Sequence, residues 1–144
     1  MVRRVATLAV PVLVLALGAY WLARPITPAA ARGLYGTHCA GCHGANLEGA
    51  PNWQQRSEDG RWPPPPHDAT GHTWHHADAQ LFQIVRDGPQ SILGPNYRTD
   101  MPAFSGVLSD AEIRAVLAYI KSTWPEEQRE YQALMNRPAA ERLL

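Results

Sequence analysis

The sequence predicts an all-α domain that follows a single transmembrane helix. Three observations support this fold class: an uncharged run over residues 5–23, segments with apolar residues at helical spacing, and no convincing alternating strand pattern. The chain has 144 residues, enough for one small domain and an appendage. We divide it into an N-terminal segment over 1–24, a domain over 25–124 and a tail over 125–144.

The N-terminal segment begins with two arginines and continues as a long apolar run. Residues 5–23 carry no charge, and their number approaches the roughly 20 residues that an α-helix needs to cross a bilayer. The run ends with two aromatic residues and a following arginine, a pattern typical of a membrane–water interface: Tyr20, Trp21 and Arg24. This pattern predicts a single-pass anchor in a bacterial inner membrane, with the domain in the periplasm. The alternative is a signal peptide cleaved near Ala31, which would leave a soluble periplasmic protein.

The composition excludes one class of partner and favours a cofactor. The chain has 13 basic and 13 acidic residues, so it lacks the positive charge of a nucleic-acid-binding protein. Its 13 prolines and 11 glycines predict a loop-rich domain. A bound cofactor could replace part of the core that such a domain lacks.

The first predicted helix spans residues 28–40, where Thr27 can cap the helix and Pro28 suits its first position. A second is predicted over 78–87, with Asp78 as its cap and a glycine at its end.

The third predicted helix spans residues 110–122 and follows a capping box formed by Ser109 and Glu112. Its apolar residues recur at helical spacing: Ile113, Val116, Leu117 and Ile120. We expect this apolar stripe to pack on the first helix.

Both cysteines of the chain lie in one motif, Cys39-Ala-Gly-Cys42-His43. C-x-x-C-H is the attachment signature of c-type haem. Two thiols one helical turn apart can add to two vinyl groups of a porphyrin, and the histidine that follows can bind the iron. A redox dithiol and half of a zinc site are the alternatives. No β-rich segment precedes Cys39 and no second cysteine pair exists, so the pattern favours one covalent haem c with His43 as an iron ligand.

Residues around this motif resemble those of the class I monohaem bacterial c-type cytochromes. Gly33 and Tyr35 stand six and four residues before Cys39, and Gly44 follows the motif. The resemblance covers roughly residues 28–124 and implies a small all-α domain that wraps one covalent haem.

The resemblance also implies a second axial ligand in a loop before the last helix. Met101 occupies that position in this sequence. The iron would then be held by His43 and Met101 in both oxidation states. A methionine that only packs against the haem, and a histidine ligand in its place, are the alternatives.

A run of four consecutive prolines and four histidines lie between the two expected iron ligands. In the resembled family a proline carbonyl accepts a hydrogen bond from the iron-binding histidine, and one of Pro63 to Pro66 would do so here. The histidines could bind copper or zinc, although we expect them to surround the haem, bind its propionates or cap the next helix: His67, His72, His75 and His76.

Two further side chains are candidates for contacts with the haem propionates. The indole N–H of Trp62 and the guanidinium of Arg98 could donate hydrogen bonds to a carboxylate. Packing or a surface position is the alternative for each of them.

Together these features predict an electron-transfer protein and not an enzyme. We expect a membrane-anchored monohaem cytochrome c that carries single electrons between periplasmic or membrane redox proteins, with no small-molecule substrate. One alternative is a catalytic or gas-sensing haem domain with an open sixth position, and another is a histidine-rich metal-handling cytochrome. The tail is expected to form a peripheral helix on the domain.

Overall fold

The computed structural model describes residues 25–138 and Glu141. This part of the chain is helical and contains no β-strand. A 3₁₀ turn spans Thr73–His75, and the α-helices are α1 (Pro28–His38), α2 (Ala40–His43), α3 (Asp78–Asp87), α4 (Gln90–Leu93), α5 (Asp110–Ser122) and α6 (Glu126–Met135).

The predicted fold class is corrected in one respect, the transmembrane helix. The longest described helix, α5, has 13 residues, and at 1.5 Å per residue it is about 20 Å long, shorter than the roughly 30 Å of a bilayer core. No helix in the described part of the chain is long and apolar enough to cross a membrane. The membrane helix predicted over residues 1–24 lies outside the described residues, and the supported class is an all-α domain.

The ends of α1 and α5 follow from local capping. The Thr27 hydroxyl accepts a hydrogen bond from the Ala30 N–H at 3.2 Å, and Pro28 is the first residue of α1. At α5, the Ser109 hydroxyl accepts from the Glu112 N–H, and the Glu112 carboxylate accepts from the Ser109 N–H at 2.8 Å. The predicted capping box is confirmed.

Helix α3 has the predicted bounds but not the predicted cap. Its N-cap is Ala77, which makes no side-chain capping bond, and Asp78 is the first helical residue. The carboxylate of Asp78 instead accepts hydrogen bonds from Lys121 and Gln132. Gly88 ends the helix with φ of +83°, a conformation that glycine adopts without strain.

The core consists of two apolar clusters that share α5. The first joins α1 to α5 and to the loop after the C-x-x-C-H motif: Tyr35, Leu47, Val116, Ile120 and Trp124. The second joins α3 to α5 and to the loop between them: Leu81, Phe104, Leu108, Ile113 and Leu117. The expected packing of the α5 stripe on α1 is confirmed.

The tail folds back on the domain as α6, which packs against the 3₁₀ turn. Gln132 is only 2% exposed, and its amide donates to the Asp78 carboxylate at 2.7 Å. Tyr131 meets the ring of Trp74 edge-on, with the ring centroids 5.2 Å apart. These contacts hold α6 to the beginning of α3 and to the turn before it.

Candidate functional site

In the described part of the chain, helices and loops border a large cavity of about 1040 Å³. This is at the upper end of the roughly 300–1,000 Å³ typical of small-molecule and cofactor sites. Two helices form much of its apolar wall, with Leu81, Ile84 and Val85 from α3 and Val116, Leu117 and Ile120 from α5. Such a wall suits a large, flat, mostly hydrophobic group.

The cysteines lie on one side of this cavity, at the junction of α1 and α2. Cys39 and Cys42 both line the cavity, and neither forms a disulfide. Burial raises the pKa of the Cys39 thiol to about 11, and the nearby Cys42 adds to this rise. Reactive redox cysteines need the opposite shift, a lowered pKa that favours the thiolate. The surroundings of Cys39 therefore argue against a dithiol catalyst.

Tyr35 fixes the backbone just after the motif. Its ring is 1% exposed in the core, and its hydroxyl donates to the carbonyl of Gly44 at 2.9 Å. Burial raises the pKa of Tyr35, so it remains a neutral donor. The contact connects the middle of α1 to the end of α2 and so helps to orient His43.

His43 lies at the end of α2, lines the cavity and is 7% exposed. Its Nδ1 lies 2.8 Å from the carbonyl oxygen of Pro65. A carbonyl can only accept, so we assign the ring proton to Nδ1, which leaves the Nε2 lone pair free to bind a metal. Burial lowers the pKa of His43 and the bond to Pro65 partly opposes this, which favours the neutral ring that metal binding requires.

The proline run is held through its carbonyls, because proline has no N–H to donate. The Pro64 carbonyl accepts from the Ala50 N–H at 2.8 Å, and the Pro65 carbonyl is the partner of His43. The Pro66 carbonyl accepts from the Thr73 hydroxyl at 3.4 Å. The prediction that a proline in this run accepts from His43 is confirmed, and the residue is Pro65.

Met101 reaches the same cavity from the loop before α5. Its N–H donates to the Thr99 hydroxyl at 3.2 Å, and its side chain packs against the second apolar cluster. The fold thus brings Met101 to the cavity that Cys39, Cys42 and His43 line. Two thiols, a neutral imidazole and a thioether therefore face one cavity, and each is a group that can bind a haem or its iron.

The two candidate propionate ligands have different positions. Trp62 lines the cavity, and the Arg56 guanidinium lies 4.9 Å from the centroid of its ring. Arg98 is exposed and is not a lining residue; its backbone carbonyl accepts from the Trp62 N–H at 2.9 Å. Arg61, which the sequence did not single out, lines the cavity instead. It pairs with Asp59 and with Asp100, and no local motif identifies it.

His67 lies directly beside His43. The two rings are stacked, with centroids 4.0 Å apart and an interplanar angle of 22°. The Nδ1 of His67 lies 2.9 Å from the Thr73 hydroxyl. Burial lowers the pKa of His67 well below its usual value, and the nearby His43 and His72 rings lower it further.

The other histidines contact neighbouring rings, and the rings of His72 and His76 meet edge-on with their centroids 5.3 Å apart. His72 stacks on Trp53 with centroids 5.0 Å apart, and His75 lies 3.8 Å from the Trp74 ring. The backbone carbonyl of His76 accepts from an amide of α6. Within the described residues, no group of three or more His, Cys, Asp or Glu side chains could hold a metal ion.

One cavity therefore gathers a C-x-x-C-H segment, a carbonyl-bound histidine and a methionine from a distant loop. A family model described as cytochrome C oxidase, cbb3-type, subunit III, matches residues 27–120. The chain belongs to this family. The matched region runs from the cap of α1 into α5. It therefore includes both the C-x-x-C-H motif and Met101 of this cbb3-type subunit III domain.

Membership in the cbb3-type subunit III family makes the chain a c-type cytochrome domain. Its cofactor is haem and its role is electron transfer. No curated protein and no solved structure matches the chain significantly.

Proposed function

We propose that this domain carries single electrons through one haem c bound by thioethers to Cys39 and Cys42, with His43 and Met101 as axial ligands. The observation that carries the proposal is the convergence of these four residues on one apolar cavity. The hydrogen bond between His43 and Pro65 supports it, because this bond holds the ring proton on Nδ1 and leaves the Nε2 lone pair free to bind a metal.

The chain contributes three things to this role. The Pro65 carbonyl holds the His43 ring and makes it a better ligand. A thioether ligand raises the reduction potential relative to a second imidazole. The apolar side chains from α3 and α5 supply a hydrophobic surface against which the haem would pack. When bound, haem supplies the iron that accepts and releases one electron.

The expected partners are redox proteins, and the domain is expected to act in the periplasm. Its family name refers to a cytochrome c oxidase, which supports a role in delivering electrons toward such a complex. The domain would catalyse no reaction of its own, because an iron with two protein ligands has no open position for a substrate.

An absorption spectrum of the haem-loaded protein tests the proposal. We expect a low-spin ferrous spectrum that carbon monoxide does not change, a ferric near-infrared band from iron–thioether ligation, and haem that stays with the polypeptide after acidic acetone extraction. A high-spin ferrous form that binds carbon monoxide rapidly would contradict the axial pair and favour a catalytic or gas-sensing domain. Extractable haem would contradict the thioethers.

A further inference from the structure

The ring of His43 has an aromatic neighbour that the proposed iron site does not itself require. His67 lies against it, nearly parallel, at a centroid distance of 4.0 Å. Both rings line the cavity, yet only the ring of His43 belongs to the proposed ligand set. The function of the second ring is therefore open.

His67 is itself held in place at several points. Its N–H donates to the Leu47 carbonyl at 2.8 Å, and its carbonyl accepts from Trp124 Nε1 at 2.7 Å. Its ring is joined to the Thr73 hydroxyl through Nδ1 at 2.9 Å. Tyr35 meets the same ring edge-on at 6.4 Å. Backbone and side chain are both fixed, so the ring is a rigid surface.

The bond from His43 to Pro65 fixes one atom of the ligand ring but does not by itself fix its plane. A single hydrogen bond tolerates a broad range of angles at the carbonyl oxygen. A parallel ring 4.0 Å away restricts rotation about the Cβ–Cγ bond, because turning the His43 plane would bring its edge into His67. The two contacts together define both position and plane.

We propose that His67 is a positioning residue that fixes the plane of the His43 imidazole. This inference rests on the proposed function, in which His43 binds the iron. The orientation of an axial imidazole sets which iron d orbital its π system overlaps, and hence how unpaired spin is distributed over the porphyrin in the ferric state. Groups that orient a ligand also tune the metal that the ligand binds.

The test compares His67→Leu and His67→Phe in the haem-loaded protein. Leu fills space without a flat ring, whereas Phe retains a ring that can stack. Proton NMR of the ferric protein reports the spread and order of the haem methyl shifts, which follow the ligand plane. We expect His67→Leu to change this pattern and to shift the midpoint potential. We expect His67→Phe, which keeps a stacking ring but loses the bond to Thr73, to return the pattern most of the way to the wild type.

His75→Leu is the matched control, because His75 contacts Trp74 and Tyr131 and does not line the cavity. It should leave the methyl pattern unchanged. A wild-type pattern in His67→Leu, or the same altered pattern in His67→Leu and His67→Phe, would overturn the inference.

Thr73→Val is a second variant in case His67→Leu does not fold. It removes the hydroxyl that holds the His67 ring and should shift the methyl resonances less than complete loss of the ring. Unchanged shifts in Thr73→Val would also overturn the inference. Failure of the proposed function would be seen separately. In that case the absorption spectrum of the wild-type protein itself would lack the features of histidine ligation.

Discussion

Among single residues, the contacts of His43 explain why a run of prolines lies between the two proposed ligands. Three consecutive carbonyls, from Pro64 to Pro66, accept from three different parts of the chain. Proline limits the backbone to an extended shape and removes competing donors. The run therefore presents the Pro65 carbonyl to His43 at a fixed position, which a more flexible loop would do less well.

The close packing of this run predicts the effect of Gly71→Ala. A Cβ at Gly71 would overlap the carbonyl of Pro66, next to the acceptor of His43. We expect the substitution to lower the free energy of unfolding of the haem-loaded protein by about 1–3 kcal/mol, as overpacking does. Urea denaturation measures this change.

Gly106→Ala is the matched control for this prediction. An added Cβ there meets nothing within 4 Å, so the free energy of unfolding should change by less than about 0.5 kcal/mol. Equal stabilities of the two variants would contradict the tight fit at Gly71.

The second residue-scale prediction concerns Met101. Met101→Leu keeps an apolar side chain at the cavity but removes the thioether sulfur. We expect the near-infrared band of the ferric protein to disappear and the ferrous form to bind carbon monoxide, because the sixth position becomes open. Visible and near-infrared absorption measure both changes.

The chain offers a control in Met135, the last residue of α6. Met135→Leu makes the same substitution outside the cavity lining and should leave the spectrum as in the wild type. A Met101→Leu protein with an unchanged spectrum would show that another residue supplies the sixth ligand.

Among the helices, the docking of α6 depends on one carboxylate. Asp78 begins α3, and its oxygens accept from Lys121 at the end of α5 and from Gln132 and Asn136 of the C-terminal segment. The Asn136 side chain in turn accepts from the Asp78 N–H at 2.7 Å. This polar network therefore joins α6 to the domain, together with the ring contacts that Tyr131 makes.

This network predicts a pH-dependent contribution to stability. Burial acts to raise the pKa of Asp78, but the hydrogen bonds from Lys121, Gln132 and Asn136 outweigh it, so the pKa is lowered overall. An acid with a lower pKa in the folded chain stabilises the fold above its unfolded pKa of about 4. That contribution is lost as pH falls through the folded pKa.

Asp78→Asn removes the titrating group and tests this contribution. We expect the variant to be less stable than the wild type near neutral pH, by less than about 1 kcal/mol because solvent screens an exposed pair. The Asp78 side chain is 50% exposed. The difference should shrink below about pH 4. Urea denaturation near neutral pH and below about pH 4 measures this difference in stability. Glu130→Gln, on the exposed side of α6, is the control. A difference that grows at low pH would contradict the lowered pKa.

For the whole molecule, the cavity lies between the helices that form the core. Residues of both apolar clusters line it, among them Val116 and Leu117. A haem in this space would contact both clusters, so it would complete the core as well as carry the electron. Its loss would leave the cavity walls without partners.

Cys39→Ala with Cys42→Ala tests this dependence. We expect the double variant to lose covalent haem, to unfold at a lower temperature and to do so less cooperatively than the loaded wild type. Circular dichroism during heating measures these changes. Wild-type chain produced without haem is the control and should behave like the variant. An equally high and cooperative transition without haem would contradict a structural role for the cofactor.

Local signals in the sequence were sufficient to predict the bounds of two helices, a capping box and the C-x-x-C-H motif. The bounds of α3 and α5, the capping box at Ser109 and the C-x-x-C-H motif all depend on residues within a few positions of each other. Helix periodicity and capping act over one or two turns, so they can be read without the fold.

Tertiary structure alone decided which distant groups meet. It selected Pro65 from four candidate prolines, placed His67 on His43 and brought Arg61 to the cavity wall. It also showed that Asp78 does not cap α3 but links the start of that helix to the last turn of α5 and to the C-terminal part of α6. These contacts join residues that are remote along the chain, and their geometry is set by how α1, α3 and α5 pack, which no local pattern encodes.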